Sequence, residues 1–236
     1  MKKFEEIFPR GLIVSCQARE GEPLYSSDIM ARMARCAELG GAIGLRANTP
    51  QDILAIKQTV SLPLIGIYKI PTRGYEVYIT PTFDAARALV QAGADVIAAD
   101  ATDRARPNGE TIASLFRKIH DELDRPVMAD CSTFEEGMKA RELGADAVAT
   151  TLAGYTPHSI SQEGPDYALL ERLAQTLDVP VIGEGRFFVP EQAARALEIG
   201  AYAVVVGTAI TRPQDITARF VKSMNKILQG KGGKLS

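Results

Sequence analysis

Two short patterns alternate along most of this chain, and that alternation leaves few folds open to it. The first closes a helical stretch with a glycine and continues into an apolar run. It occurs at Leu39-Gly40-Gly-Ala-Ile, Ala92-Gly93-Ala-Asp-Val, Leu143-Gly144-Ala-Asp-Ala-Val and Ile199-Gly200-Ala-Tyr-Ala-Val. Gly40 to Gly93 is 53 residues, Gly93 to Gly144 is 51 and Gly144 to Gly200 is 56. The second pattern is a proline followed by two apolar residues, at Leu62-Pro63-Leu-Ile, Arg125-Pro126-Val-Met and Val179-Pro180-Val-Ile, between copies of the first. A glycine after helical periodicity suits the C′ position, whose left-handed backbone other residues resist. The runs Val96–Ala99, Ala147–Thr150 and Ala203–Val206 are short and mostly apolar, as strands covered on both faces of a parallel sheet are. Pro63, Pro126 and Pro180 fit the first residue of a strand, where a missing donor is tolerated. Thr49-Pro50-Gln-Asp, Thr80-Pro81-Thr-Phe-Asp, Ser132-Thr-Phe-Glu-Glu and Val189-Pro190-Glu-Gln combine the caps, first-turn prolines and first-turn acids of helix starts.

This pattern predicts eight strand–helix units, with strands near 11–18, 42–47, 62–69, 95–101, 125–131, 146–152, 179–185 and 203–208. Eight such units in 236 residues predict a single-domain (β/α)8 TIM barrel over residues 1–229, with 230–236 as a flexible C-terminal tail. A doubly wound open sheet is the structural alternative, but no G-x-G-x-x-G follows the first strand.

Composition narrows the function classes. With 46% apolar and 24% charged residues the chain is globular, and its apolar runs are too short for a membrane span. The 27 basic and 29 acidic residues leave a net charge of −2, so bulk charge draws in neither nucleic acid nor an anionic membrane. Cys16, Cys36 and Cys131 are odd in number and lack C-x-x-C spacing, which argues against a disulfide framework or a structural zinc site. Together with the absence of a secretory signal in Met-Lys-Lys-Phe-Glu-Glu, this predicts a cytoplasmic protein.

Barrel active sites lie at the C-terminal ends of the strands. Aligning the proline-initiated strands gives three alternating sets: Pro63, Ile65, Ile67, Lys69; Pro126, Met128, Asp130, Ser132; and Pro180, Ile182, Glu184, Arg186. In a shared phase Asp130 and Glu184 occupy one layer and Lys69 the layer above. Strands 3 and 7 are opposite in an eight-strand ring, so Lys69 and Glu184 converge on one volume. An ammonium and a carboxylate there can share a proton or polarise a carbonyl. Taken singly, such residues are commonly solvated, and Asp130 could cap the next helix; Asp103 and Arg104 read as solvated loop. Gly183-Glu-Gly185-Arg186 and Gly207-Thr208 follow strands 7 and 8, where barrels often hold phosphate on backbone N–H groups. Arg186 and Arg212 strengthen that reading. His120 reads as a surface residue, Tyr155 and His158 as a possible roof, and the Cys and Met residues as core filler.

The segments Gly11-Leu-Ile-Val-Ser-Cys-Gln-Ala18, Ile43-Gly-Leu-Arg-Ala-Asn48, Leu64-Ile-Gly-Ile-Tyr-Lys69, Tyr78-Ile-Thr-Pro-Thr82, Ala98-Ala-Asp-Ala-Thr102 and Val181-Ile-Gly-Glu-Gly-Arg186 carry a family likeness. The chain resembles bacterial N-acetylmannosamine-6-phosphate 2-epimerases, in the ribulose-phosphate-binding barrel group. The resemblance implies Lys69 and Glu184 as the catalytic pair, Gln17, Arg46 and Asp130 as substrate contacts, and a phosphate site at Gly185, Arg186, Gly207, Thr208 and Arg212. It implies an isomerase of amino-sugar and sialic acid catabolism that inverts C2 by deprotonation and reprotonation, without cofactor or metal. The expected partners are a small sugar phosphate and a second copy of the chain, in a homo-oligomer, a dimer. A Schiff-base sugar-phosphate aldolase using Lys69 and a non-catalytic sugar-phosphate-binding barrel stay open as alternatives.

Overall fold

The computed structural model describes residues 1–231. Eight parallel strands close into a barrel in chain order: β1 (Gly11–Cys16), β2 (Gly44–Asn48), β3 (Leu64–Ile67), β4 (Val96–Asp100), β5 (Val127–Asp130), β6 (Ala147–Ala149), β7 (Val181–Glu184) and β8 (Ala203–Val206). β8 returns to β1 in register, Gly11 opposite Ala203 and Val14 opposite Val206. The expected (β/α)8 barrel is therefore the fold, and the open sheet is ruled out. The helices are α1 (Phe4–Ile7), α2 (Ser27–Leu39), α3 (Pro50–Lys57), α4 (Phe83–Gln91), α5 (Ile112–Leu123), α6 (Phe134–Glu142), α7 (Tyr167–Thr176), α8 (Pro190–Glu198), α9 (Thr208–Thr211) and α10 (Pro213–Lys231). α10 thus extends into the segment expected to be a tail, whose residues 232–236 lie outside the described ones.

Local chemistry sets these boundaries. The hydroxyls of Thr49, Thr82, Thr111 and Thr133 accept from N–H groups three residues on and cap α3, α4, α5 and α6. Glu136 completes a capping box by accepting from Thr133 N at 3.1 Å. Gly93, Gly144 and Gly200 have φ of +106°, +99° and +109° and end their helices as expected. Gly40 does not: its φ is −77°, and Gly41, at +86°, makes the left-handed turn. The repeat is in truth Gly-Ala, at 41, 93, 144 and 200, because α2 runs one residue further than an alignment on Leu39-Gly40 allows. The three prolines sit one residue before their strands. Their carbonyls accept from Leu45, Ile97 and Val148, so proline enters the ladder through its acceptor alone.

Period-two alternation then sorts every strand. Val14, Leu45, Leu64, Ile97, Val127, Val148, Val181 and Val204 face the helices. Ile13, Ile65, Ile67, Val96, Ala98, Met128, Ala147, Ala149, Ile182, Ala203 and Val205 fill the interior. Phe4 and Phe8, stacked at 5.1 Å, belong to the same interior cluster. Gly44 makes room for Phe8: a Cβ there would lie 2.3 Å from the ring. Cys16 and Cys131 are buried, as core filler should be, and burial pushes the Cys16 thiol up to about 12. Met1, Cys36 and Met224 depart from that expectation and are exposed.

Candidate active site

The strand phase that fills the interior with apolar groups continues upward into polar ones. Ser15 and Gln17 follow Ile13, and Arg46 and Asn48 follow Gly44. Lys69 follows Ile67, Asp100 follows Ala98, and Asp130 follows Met128. Thr151 follows Ala149, and Glu184 follows Ile182. All but the wholly buried Asp100 and Asp130 line the base of a cleft of about 1140 Å³ at the C-terminal end of the barrel.

Arg46 organises this floor. It is 1% exposed, and its guanidinium takes both oxygens of Asp130, at 3.0 and 2.6 Å, in the forked geometry that suits a carboxylate. The same guanidinium pairs with Glu184. Thr151 donates to Asp130 at 2.6 Å and supports the pair from β6's end. Burial works against the charge on Arg46, but Asp130 and Glu184 outweigh it and hold its pKa above the ordinary arginine value. Asp130 does not cap a helix, and it does not line the cleft: it is wholly buried behind Arg46.

Lys69 and Glu184 face the cleft from opposite strands without pairing. Lys69 Nζ donates to Gln17 Oε1 at 2.7 Å. Burial and then Arg46 lower its pKa to about 8, against the opposing pull of Glu184. Glu184 moves the other way: burial raises it to about 7, although Arg46 favours its charged form. Both groups can therefore gain or lose a proton near neutral pH, which is the condition for acid–base work.

The expected phosphate residues also border the cleft, with two surprises. Gly185 and Arg186 have φ of +109° and +58° and turn the chain sharply after β7. The Arg186 guanidinium donates to the carbonyls of Ala153 and Gly164, at 2.6 and 2.8 Å, and so braces the loop after β6. Gly207 precedes α9, whose first N–H groups, on Thr208 and Ala209, have no partner within the helix. A Cβ on Gly207 would come 3.2 Å from Ser15. Arg212 ends α9 and is already balanced: it pairs with Glu22 from the loop after β1 and with Asp215 at 2.9 Å.

Several residues outside the expected set belong here. Thr151 and Asp100 obey the same inward phase as Glu184 and could have been found by extending it to β6 and β4. Arg104 is not solvated loop. It donates to the wholly buried Asp100 at 2.7 Å, because that carboxylate would otherwise be an unpaired buried charge. Asp103 is exposed and pairs with Lys139. Tyr78 reaches the cleft from the segment after β3, its pKa raised by burial and then by Asp100 and Asp130. It opens the family-like segment Tyr78-Ile-Thr-Pro-Thr82, but nothing in its spacing marks it as a cleft residue. Tyr155 lines the cleft, while His158 is exposed and does not. His120 is half-buried rather than a plain surface residue and meets Asp146 at 2.8 Å. Among the described residues no group of three or more His, Cys, Asp or Glu is placed to hold a metal ion.

Comparison with known proteins places the chain in a family. Residues 30–226 match the family described as "Putative N-acetylmannosamine-6-phosphate epimerase". A 2-epimerase of that description from Caldanaerobacter subterraneus subsp. tengcongensis is 56% identical over 212 residues, 89% of this chain and 90% of the relative. One from Clostridioides difficile is 49% identical over 213 residues, covering 90% and 95%. The solved N-acetylmannosamine-6-phosphate 2-epimerase from Clostridium perfringens superposes with a TM-score of 0.90 at 49% identity, over 92% of this chain and 94% of that one. A thiamine phosphate pyrophosphorylase from Pyrococcus furiosus, 16% identical with a TM-score of 0.57 over 88% and 89% of the chains, shares the fold alone. The chain belongs to the N-acetylmannosamine-6-phosphate 2-epimerase family.

Proposed function

We propose that this protein is an isomerase that interconverts N-acetylmannosamine 6-phosphate and N-acetylglucosamine 6-phosphate, a step of amino-sugar and sialic acid catabolism. The observation that carries the reading is the pair Lys69 and Glu184, facing one cleft from opposite strands with both pKa values drawn toward neutrality. Family membership supports the substrate.

The chemistry needs no electron acceptor. C2 of the open-chain sugar lies beside the C1 aldehyde, so its proton is acidic. A base removes that proton, and the electron pair moves into the C1 carbonyl to give an enolate. The oxyanion is held by a cation or donor, and a proton returned on the opposite face completes the inversion. Lys69 and Glu184 serve as base and acid, one in each direction of the reversible reaction. Arg46 holds developing negative charge and keeps Glu184 oriented, with Asp130 fixing Arg46 from behind. Gln17 steadies Lys69 Nζ and meets substrate hydroxyls. The 6-phosphate is held by backbone N–H groups around Gly185, Gly207 and Thr208, with Arg186 and Arg212 adding charge.

The reading includes no cofactor, no metal and no nucleic-acid partner, and places the work in the cytoplasm. No helix among the described residues is long and apolar enough to cross a membrane. It also includes a homodimer. Phe220, Val221, Met224, Ile227 and Leu228, all at least 50% exposed, form one apolar face of α10 at the spacing i, i+1, i+4, i+7, i+8. Such a contiguous patch favours burial against a second copy.

The test is a stereochemical assay in D₂O with chelator present. The product should be the C2 epimer carrying deuterium at C2. Absence of product and of exchange would leave the binding-protein alternative. Carbon–carbon cleavage with an adduct trapped on Lys69 by borohydride would establish the aldolase.

A further inference from the structure

The strand that presents Lys69 stops short of it. β3 ends at Ile67, and β3 and β4 are paired only through Ile65–Val96 and Gly66–Ile97. Above that level the two strands separate, and the returning chain at 78–80 wedges between them. Ile79 bridges Lys69 in antiparallel sense, Ile79 O accepts from Asp100 N at 3.1 Å, and Ile70 N donates to Tyr78 O at 2.9 Å.

Thr80 locks this wedge. It is wholly buried and has φ of +43°, a conformation that β-branched residues rarely adopt. Its N–H donates to Tyr68 O at 2.9 Å. Its hydroxyl accepts from Tyr68 N at 3.2 Å and donates to Ala98 O at 2.6 Å. A hydroxyl can accept and donate at once. The relay from Tyr68 N through Oγ1 to Ala98 O stands where a direct ladder bond would run if β3 and β4 stayed together. Both main-chain groups of Tyr68, the residue before Lys69, are thus committed to Thr80. On the other side Asn48 Oδ1 accepts from Lys69 N at 2.9 Å, and Thr49, itself at φ +71°, donates its N–H to Ile67 O at 3.0 Å. Two strained threonines therefore hold Ile67 and Tyr68, and Asn48 holds the Lys69 N–H. Strain that persists in a buried backbone is characteristic of functional sites.

We infer that Thr80 is a positioning residue for Lys69: its hydroxyl relay replaces the missing β3–β4 ladder and sets the height and direction from which the amine reaches the substrate carbon. This rests on Lys69 being a catalytic residue. Lys69 is faced by Arg46, Glu184, Arg19 and Asp130. Its depressed pKa comes first from burial and then from Arg46 and Arg19, against the pull of Glu184 and Asp130, so a loosened, better-solvated Lys69 would titrate closer to the ordinary 10.5.

The experiment compares Thr80→Val, which keeps shape and branching but loses the relay, with Thr80→Ser, which keeps the relay. Thr80→Ala, whose vacated space admits a water, serves if Thr80→Val does not fold. Two quantities are measured: kcat and KM, and the pH midpoint of Lys69 acetylation by acetic anhydride, read by peptide mass spectrometry without substrate. Thr80→Val, or Thr80→Ala, should lower kcat by roughly 10–100-fold with KM within about threefold, the loss expected for an ångström-scale displacement. It should also raise the labelling midpoint above that of wild type. Thr80→Ser should restore both. Wild-type kcat and midpoint in the folded Thr80→Val or Thr80→Ala protein would overturn the inference, as would a Thr80→Ser protein no better than Thr80→Val. Lys69→Ala separates the two layers. Full activity there would sink the catalytic role of Lys69, while the labelling midpoints would still report whether Thr80 positions it.

Discussion

Replacing Glu184 with Gln should remove activity and, above neutral pH, make the protein more stable. The carboxyl titrates at about 7 instead of the ordinary 4.5, chiefly because it is buried, with Arg46 opposing the shift. An acid whose pKa is raised on folding is held more tightly as its protonated form. The stability it contributes is complete below the ordinary pKa, is lost as pH rises toward the folded pKa, and stays lost above it. From 4.5 to about 7 this loss amounts to roughly 3 kcal/mol, at about 1.4 kcal/mol per unit. Glu184→Gln is a neutral isostere that escapes it. Two effects shrink the gain: the side chain is 13% exposed, and Arg46 loses the charged oxygen it pairs with. The expected difference is therefore about 1–3 kcal/mol at pH 8, falling toward zero at pH 5, with Tm higher by about 2–10 °C at pH 8. Turnover should fall by roughly 10²–10⁴, as for loss of an acid–base group. Denaturant unfolding of both proteins at pH 5 and pH 8, beside a turnover assay, reads all of this. Equal or lower stability of the Glu184→Gln protein at pH 8 would refute the reasoning, because Arg46 would then stabilise the carboxylate fully.

The pair should give a bell-shaped kcat/KM profile with limbs near 7 and 8, falling on the acid side as Glu184 and Lys69 are both protonated and on the alkaline side as the shared proton is lost; a flat profile from pH 6 to 9 would contradict it. Lys69→Ala and Glu184→Ala should each reduce turnover by roughly 10²–10⁴, and the double variant should be little worse than the poorer single one; full additivity would show that the two act in separate steps. Arg212→Ala should raise KM for the phosphorylated sugar by roughly 10–150-fold with kcat nearly unchanged, and spare the residual reaction of the unphosphorylated sugar. Equal harm to both sugars would make Arg212 a strut between Glu22 and Asp215. Phe220→Glu combined with Ile227→Glu should halve the molar mass seen by light scattering, and an unchanged mass would remove α10 from the interface.

The architecture was legible because it repeats. Each strand–helix unit carries its own stop and start in a few adjacent residues, and period two assigns each strand residue to core or helix side without knowledge of its neighbours. Lys69, Asp130 and Glu184 could be picked out the same way, as the polar residues where apolar filling ends, whereas Arg46 came from the family resemblance. Asp100 and Thr151 follow the identical rule, on strands that lack the leading proline that sets the phase. The slip of one residue at Gly40 has a similar cause: two consecutive glycines leave the C′ position ambiguous until the length of α2 is known.

Other features depend on contacts between segments far apart in the chain. That Asp130 stands behind Arg46 rather than at the cleft, that Arg186 and Arg212 are already engaged by Gly164 and by Glu22, and that Tyr78 enters from above all follow from where loops cross. The pKa values of Lys69 and Glu184 belong to the same class, since burial and the field of Arg46 are properties of the closed barrel. Thr80 illustrates the division. Its sequence context, Thr80-Pro81-Thr82, reads as a helix start, and the cap is indeed nearby, at Thr82. Its role as a wedge between β3 and β4 arises because two strands diverge some ten residues or more away from it in sequence. By itself the sequence determined the order of elements and the inward phase of each strand, since both are encoded within a few residues by periodicity and caps. Only the tertiary structure decided which charges meet, because side chains brought together by ring closure interact through space and leave no mark on local sequence.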